Sequence, residues 1–100
     1  MMSPEIIFEI HQRGIELYGG APNVIDSNCP ERSWESAQSA AYYSSLQTTQ
    51  RHPQGNNSPV ISEALTVAGY LCYYLTRNHC FLDGNKRVGW AAAMKVLEQG

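Results

Sequence analysis

Apolar residues recur at helical spacing along much of the chain, most regularly between residues 59 and 78. There they follow the i, i+3, i+4, i+7 pattern of an amphipathic helix, and Ser58 and Pro59 suit its N-cap and first position. The apolar positions are Ile61, Ala64, Leu65, Ala68, Leu71, Cys72 and Leu75. Because Val67 and neighbouring tyrosines widen this arc, we expect a helix in the middle of a bundle, contacted from several sides.

The N-terminal pattern predicts a first helix over residues 3–13. A serine–proline pair suits its N-cap and first position, and isoleucines supply one apolar stripe. Gly14 is expected to end this helix, and residues 15–18 are expected to form a short extended piece in a turn-rich connection. His11 lies just beyond the apolar stripe, so we expect a surface or capping histidine.

Two more helices are predicted, from about residue 31 to residue 46 and from about residue 84 to residue 99. Asp83 is the expected N-cap of the last one. On this helix two apolar sides are expected to face inwards, one with Val88, Ala91 and Ala92 and one with Trp90, Met94 and Leu97. Gly89 and Ala93 are small, which should let another helix approach closely.

The most polar part of the chain is residues 48–58, TTQRHPQGNNS. Neither charge nor apolar periodicity organises it, so we expect a loop or a small hairpin, of the kind that can also grip a substrate. The chain shows no alternation of strand and helix patterns. The predicted fold class is therefore an all-α helical bundle, with at most this small hairpin.

Composition narrows the classes of protein. One hundred residues fit one domain with one modest core, and a hydrophobic fraction of 43% is ordinary for a globular protein. The net charge of -2 argues against general electrostatic binding to nucleic acid. No signal peptide or membrane-crossing apolar run is apparent. The three cysteines, without metal-ligand spacing, are expected to be free thiols in a reducing cytoplasm. We thus expect a soluble, cytoplasmic, single domain.

Candidate chemistry concentrates in residues 79–87, HCFLDGNKR, between the two strongest helix patterns. A helix N-terminus presents unpaired backbone N–H groups and the positive end of the helix dipole. Gly84 would let a phosphate approach the backbone closely, and Asn85 follows it. Lys86 and Arg87 are unfavourable on a first helical turn unless an anion binds there and satisfies both. The sequence therefore predicts an anion site.

A carboxylate and an imidazole flank this predicted anion site. If the anion is a polyphosphate, Asp83 is suited to bind Mg²⁺, which takes one or two carboxylates together with phosphate oxygens and water. His79 is a candidate general base, since imidazoles titrate near neutral pH. Phe81 is expected to point into the core and to anchor the loop. Each residue alone has an ordinary structural explanation, so the hypothesis depends on their combination.

The same nine residues resemble the signature of the Fic/Doc family, H-x-F-x-[D/N/E]-[A/G]-N-[K/G]-R, and match every specified position. The flanking segments are also similar, strongly after residue 59 and loosely before residue 30. The resemblance implies a Fic/Doc-like bundle in which His79 activates a Ser, Thr or Tyr hydroxyl of a target protein. Asp83 would bind the Mg²⁺ that bridges the phosphates of ATP or another nucleoside triphosphate. The implied phosphate cradle and its anchor are Gly84, Asn85, Arg87 and Phe81.

Lys86 distinguishes the subtypes in this resemblance. Fic enzymes that transfer AMP usually carry glycine there, whereas Doc-type (death-on-curing) proteins carry lysine and are toxins of toxin–antitoxin pairs. The Doc-type resemblance implies that the terminal phosphate is transferred to a protein such as a translation factor, and that a cognate antitoxin silences the toxin. Two alternatives stay open: transfer of a nucleotidyl group, and an inactive Fic-like binding module.

The length of the chain departs from the family pattern. Fic/Doc domains normally continue past the motif helix with one or two further helices. Residues 1–100 are therefore expected to form a single, C-terminally short domain. Three explanations stay open: the chain is a fragment, the domain is naturally short, or a partner completes it. The target protein, the modified hydroxyl and the oligomeric state are not indicated by the sequence.

Overall fold

The computed structural model of the chain describes residues 3–51 and 59–99, with side chains described for residues 3–46 and 63–99. These residues form four α-helices: α1 (Pro4–Tyr18), α2 (Cys29–Arg51), α3 (Pro59–Asn78) and α4 (Asn85–Gln99). Within the described ranges there is no strand, and an isolated antiparallel bridge joins Val24 to Phe81. The all-α class predicted from the sequence is confirmed.

Helix α1 begins as the sequence predicts but extends further. Ser3 is its N-cap, and the hydroxyl accepts a hydrogen bond from the backbone N–H of Ile6. The predicted end at Gly14 and the extended piece at residues 15–18 are both wrong, because the helix continues through them. A glycine inside a helix costs only about 1 kcal/mol relative to alanine, so contacts of the neighbouring turns can override it. Gly19, with a φ of 83°, follows the last turn.

Helix α2 also runs past its predicted end at residue 46. The first part of the predicted loop at residues 48–58 is therefore helical, and residues 52–58 lie outside the described residues. Extending an existing helix is far easier than nucleating one, so the absence of apolar periodicity did not end α2.

The predicted central position of α3 is confirmed, because it packs against both α2 and α4. Leu71 and Leu75 are fully buried, whereas Leu65 is exposed, so its predicted place on the buried apolar face is wrong. None of the described helices has both the length and the hydropathy needed to cross a membrane.

Helices α3 and α4 approach closely at Gly89, as predicted from its size. A β-carbon at this position would lie 2.9 Å from the backbone oxygen of Cys72 and 2.8 Å from the hydroxyl of Thr76. The second inward side predicted for α4 is only partly correct, because Trp90 and Met94 are exposed. With α3 on one side and α1 on another, the described fold leaves these two side chains uncovered.

The hydrophobic core receives side chains from all four helices and from the loop between α3 and α4. Its largest fully buried side chains include Phe81 from that loop, Ile7 from α1 and Leu71 and Leu75 from α3. The loop that carries the candidate chemistry is therefore anchored in the core at Phe81.

The expectation of three free cysteines is wrong. Cys29 at the start of α2 and Cys80 in the loop after α3 form a disulfide, with Cα atoms 5.3 Å apart, and Cys72 is free. Both bonded cysteines are buried. They are separated by 51 positions in the sequence, so only the packing of α2 against α3 brings them together.

Candidate active site

The loop between α3 and α4 carries the first six residues of the nine-residue motif and is tied to residues 23–26, which precede α2. The backbone N–H of Leu82 donates to the carbonyl of Asn23 at 3.0 Å, and the N–H of Ile25 donates to the carbonyl of Cys80 at 2.9 Å. The bridge to Phe81 and the disulfide reinforce this connection. The motif loop is therefore fixed in place by residues 23–26, to which no functional role was assigned from the sequence.

Asp26 holds the turn between this segment and α2. Its carbonyl accepts from the N–H of Cys29, and its carboxylate accepts from the N–H of Asn28. The carboxylate also pairs with Arg32, whose hydrogen bond is the largest cause of a pKa of Asp26 below the ordinary value. This turn fixes the start of α2 beside the motif loop.

Asn85 connects the loop to the first turn of α4. Its side-chain oxygen accepts from the N–H of Phe81 at 3.1 Å, and its amide nitrogen donates to the carbonyl of Phe81 at 2.7 Å. The residue is buried. Its side chain is thus occupied with shaping the loop, so any contribution of Asn85 to an anion cradle would come from its backbone N–H.

The carboxylate of Asp83 is exposed beside the start of α4. One oxygen accepts from the N–H of Gly84 at 2.9 Å, and the other accepts from the N–H of Ala21 at 3.4 Å. The predicted N-cap role is not what the structure shows, because Gly84 is the residue before the helix and its carbonyl accepts the N–H of Val88. The carboxylate instead faces the Gly19–Gly20–Ala21 turn.

The exposed carboxylate of Asp83 beside the start of α4 fits a magnesium ion that is shared with a nucleotide. Among the described residues no group of three or more His, Cys, Asp or Glu side chains is placed to hold a metal by itself. Mg²⁺ commonly needs only one or two protein carboxylates when phosphate oxygens and water complete its coordination. Asp83, with oxygens that retain acceptor capacity, is suited to this partial role.

Two glycines give the site its open shape. Gly84 has a φ of 81° and lies where a β-carbon would be 3.3 Å from the guanidinium of Arg87. Gly20 has a φ of 115°, and a β-carbon there would lie 2.6 Å from a carboxylate oxygen of Asp83. Both positions need a residue that tolerates positive φ, and both border candidate binding groups.

Arg87 points from the first turn of α4 towards the end of α1. It donates to the carbonyls of Gly14 at 3.4 Å and of Gly19 at 3.3 Å, and its guanidinium lies 5.3 Å from the ring centroid of Tyr18. The C-terminus of a helix carries partial negative charge. These contacts therefore offset part of the unfavourable electrostatic energy of Arg87 at a helix N-terminus. From the sequence, a bound anion alone was expected to do so. Lys86 is exposed.

His11 is the residue of this region that the sequence reasoning missed. The expected surface histidine is buried, its ring stacks on that of Phe81 with centroids 3.8 Å apart, and its Nε2 lies 3.0 Å from the carbonyl oxygen of Asp83. One signal was present in the sequence: His11 follows the buried Ile7 by four positions, which places both on one face of a helix.

The described contacts bring Asp83, Gly84 and Arg87 together with His11 and the end of α1. His79 lies at the other end of the loop, is exposed and has a φ of 51°, a left-handed conformation. An open groove of about 1310 Å³ between α1 and α4 extends from Gly84 and the first turn of α4. Gly84, Lys86 and Arg87 line this groove, whereas Asp83 is exposed beside Gly84 but does not line it. A helix N-terminus with a guanidinium suits a phosphate ester.

The family model described as the Fic/DOC family matches residues 1–97. The chain belongs to the Fic/Doc family. No curated protein and no solved structure gives a significant match. Fic/Doc proteins are in general transferases that modify other proteins, and the helical fold described above agrees with this membership.

The close contact of Gly20 with Asp83 in this Fic/Doc chain leads to a prediction. Gly20→Ala should displace the carboxylate. If Asp83 binds Mg²⁺ as the sequence predicts, the variant should weaken Mg²⁺-dependent nucleotide binding by about tenfold or more, as changes around metal ligands usually do. Gly19→Ala is the matched control, because Gly19 also has positive φ but no atom within 4 Å of its β-carbon position. Both variants should lose roughly 1–3 kcal/mol of stability from backbone strain. Equal Mg²⁺ half-saturation in the two variants, measured by titration calorimetry, would contradict the prediction.

Proposed function

We propose that this Fic/Doc protein is a Doc-type kinase, which transfers the terminal phosphate of a nucleoside triphosphate to a Ser or Thr hydroxyl of a protein target such as a translation factor. The observation that carries the proposal is the open first turn of α4. There, Gly84 carries no side chain over the backbone, the guanidinium of Arg87 borders it, and the carboxylate of Asp83 accepts from its N–H. Together these groups offer an anion and its cation the contacts they require.

The phosphates would be held by the backbone N–H groups at the start of α4 and by Arg87. The guanidinium uses two of its N–H groups on the carbonyls of Gly14 and Gly19, so others remain for phosphate oxygens. Lys86, exposed on the same turn, adds a point charge. Asp83 would hold Mg²⁺, which when bound neutralises charge on the phosphate oxygens.

His79 would act as the general base. Its exposed imidazole can accept the proton of the target hydroxyl as that oxygen attacks the terminal phosphorus. The bond between the terminal phosphorus and the bridging oxygen breaks, and the nucleoside diphosphate leaves. The backbone N–H groups of α4 and Arg87 would stabilise charge on the transferred group.

Transfer of a nucleotidyl group is the second candidate activity. Lys86 favours transfer of the terminal phosphate instead. Family members that transfer AMP usually have glycine at this position, where a lysine side chain occupies part of the cradle and changes how the nucleotide lies. We therefore expect Lys86→Gly to shift the chemistry towards nucleotidyl transfer. The same Doc-type assignment leads us to propose a cognate antitoxin as partner and a cytoplasmic location, with no direct role for nucleic acid or membrane.

The decisive experiment follows the position of a label. The purified protein is incubated with bacterial lysate and Mg²⁺, in parallel with ATP labelled at the γ or at the α phosphate. Label transferred from the γ position alone establishes the kinase, whereas transfer from the α position means that the nucleotidyl alternative is correct. Lys86→Gly in the same assay tests whether this residue decides between them.

Transfer from neither label would favour the inactive binding module, and thermal unfolding then separates the remaining cases. A ligand that binds only the folded state stabilises it by about 2.7 kcal/mol at a hundredfold excess over Kd. A raised Tm with Mg²⁺ and ATP would show that the site binds nucleotide without transferring it. An unchanged Tm at saturating nucleotide would contradict both transferase assignments.

A further inference from the structure

His11 lies outside the nine-residue motif and contacts it at two residues. The side chain comes from α1, is 4% exposed and lies parallel to the ring of Phe81, with an angle of 9° between the ring planes. Its Nε2 lies 3.0 Å from the carbonyl oxygen of Asp83, 72 positions later in the chain. One imidazole thus contacts both the core anchor of the motif loop and the backbone of its exposed carboxylate residue.

The chemistry of this hydrogen bond determines which atom carries the proton. A backbone carbonyl oxygen only accepts hydrogen bonds, so Nε2 must be protonated and must donate. The bond therefore restrains the peptide group of Asp83 against α1. Its carboxylate, in contrast, is exposed and accepts from two backbone N–H groups, one within the loop at 2.9 Å and one at 3.4 Å.

We propose that His11 is a positioning residue, whose Nε2–H holds the Asp83 peptide so that the carboxylate is presented to the Mg²⁺ of a bound nucleotide. The inference rests on the proposed function, in which Asp83 binds that ion. Stacking on Phe81 sets the plane of the imidazole, and the side chain is buried. Partners that orient metal ligands in this way commonly change metal affinity by about 10–100-fold when they are removed.

A pair of variants separates the hydrogen bond from the ring. His11→Phe keeps an aromatic ring on Phe81 and removes the N–H donor. His11→Gln keeps a donor at a similar distance from the backbone and removes the ring. The measured quantity is the Mg²⁺ concentration that half-saturates binding of a non-hydrolysable ATP analogue, determined by calorimetry well below the Tm of each variant.

We expect His11→Phe to raise this Mg²⁺ concentration about tenfold or more, and His11→Gln to stay within about threefold of the parent protein. Binding of the analogue without Mg²⁺ should be the same in all three proteins. A residue with a merely structural role would lower the Tm and leave the Mg²⁺ half-saturation unchanged, and that result would overturn the proposal. An equal rise in the half-saturating Mg²⁺ concentration in both variants would also overturn the proposal, because the N–H donor that His11→Gln retains would then make no difference.

Asp83→Asn distinguishes failure of this inference from failure of the proposed function. If Asp83→Asn loses Mg²⁺-dependent binding and His11→Phe does not, the role of His11 alone is wrong. If neither variant differs from the parent protein, the assignment of Asp83 as a magnesium ligand is wrong, and the role of His11 falls with it.

A second measurement needs no substitution of the buried histidine. In the ¹⁵N-labelled parent protein saturated with the analogue, addition of Mg²⁺ should change the side-chain nitrogen shifts of His11, since its hydrogen-bond partner belongs to the metal-binding residue. The chain has three histidines, and comparison with His52→Asn and with His79→Asn identifies the signals of the other two and leaves those of His11. Unchanged His11 shifts at saturating Mg²⁺ would contradict the proposal even if His11→Phe did not fold.

Discussion

His79→Ala and His79→Asn are both expected to reduce the rate of transfer to protein by about 10²–10⁴-fold, the usual contribution of a general base. Neither side chain can accept the proton of an attacking hydroxyl. Nucleotide binding should be nearly unchanged, since in the proposed mechanism the imidazole acts on the target hydroxyl and not on the phosphates. Initial rates of label transfer, compared with the affinity for a non-hydrolysable analogue, provide the measurement.

The two variants together control for the conformation of the loop. His79 has a φ of 51°, a region that asparagine tolerates better than most residues, whereas alanine is strained there. His79→Asn should therefore fold like the parent protein, and His79→Ala should lose about 1 kcal/mol of stability or somewhat more. A His79→Asn protein that retains full transfer activity would exclude His79 as the base.

Removal of the disulfide is expected to have the largest effect on stability. The bond between Cys29 and Cys80 closes a loop with a sequence separation of 51, and both cysteines are buried beside the hydroxyl of Ser33. For a loop of this length, the free energy of unfolding should fall by about 3–4 kcal/mol in Cys29→Ser. In a chain of this size that corresponds to a Tm lowered by roughly 12–30 °C, measurable by circular dichroism.

Reduction of the parent protein should lower its Tm to a similar extent, and Cys29→Ser should not respond to the reductant. Cys72→Ser is the matched control, because Cys72 is the free cysteine and its loss leaves the bond intact. Thiol titration of the unfolded protein should find one reactive thiol before reduction and three after it. A Tm that is independent of reductant would mean that the bond does not stabilise the fold.

This prediction also bears on where the protein works. Disulfides persist in oxidising compartments and are rare in the cytosol, where thiols are kept reduced. The sequence predicts a cytoplasmic location partly from three free cysteines, and that premise is wrong, so the proposed location rests on the Doc-type assignment alone. Counting thiols in protein isolated from its native cell under acid quench would show whether the bond forms there.

Much of the fold could be predicted because local sequence patterns report local structure. The continuous apolar spacing of α3 predicted a buried central helix, and the small Gly89 predicted close helix packing; both are confirmed. The nine-residue motif led to the Fic/Doc family, which the family model confirms. Each of these signals lies within one segment of the chain.

The C-terminal ends of α1 and α2 were predicted less well than those of α3 and α4, for a physical reason. Gly14 weakens a helix by a small amount, and contacts from elsewhere decide whether the helix stops. In this structure Arg87 donates to the carbonyls of Gly14 and Gly19, so α4 supports the last turn of α1. No pattern within residues 3–20 contains that information.

The sequence by itself determined the helical class, the family and the residues that carry the candidate chemistry, because periodicity and a short motif depend on neighbours in the chain. The tertiary structure decided how those residues are held. The contacts of His11 with Asp83, of Gly20 with the same carboxylate, and of Cys29 with Cys80 all join distant positions. Such contacts arise only when the helices pack, since hydrophobic burial selects which faces meet and a linear pattern does not specify their partners.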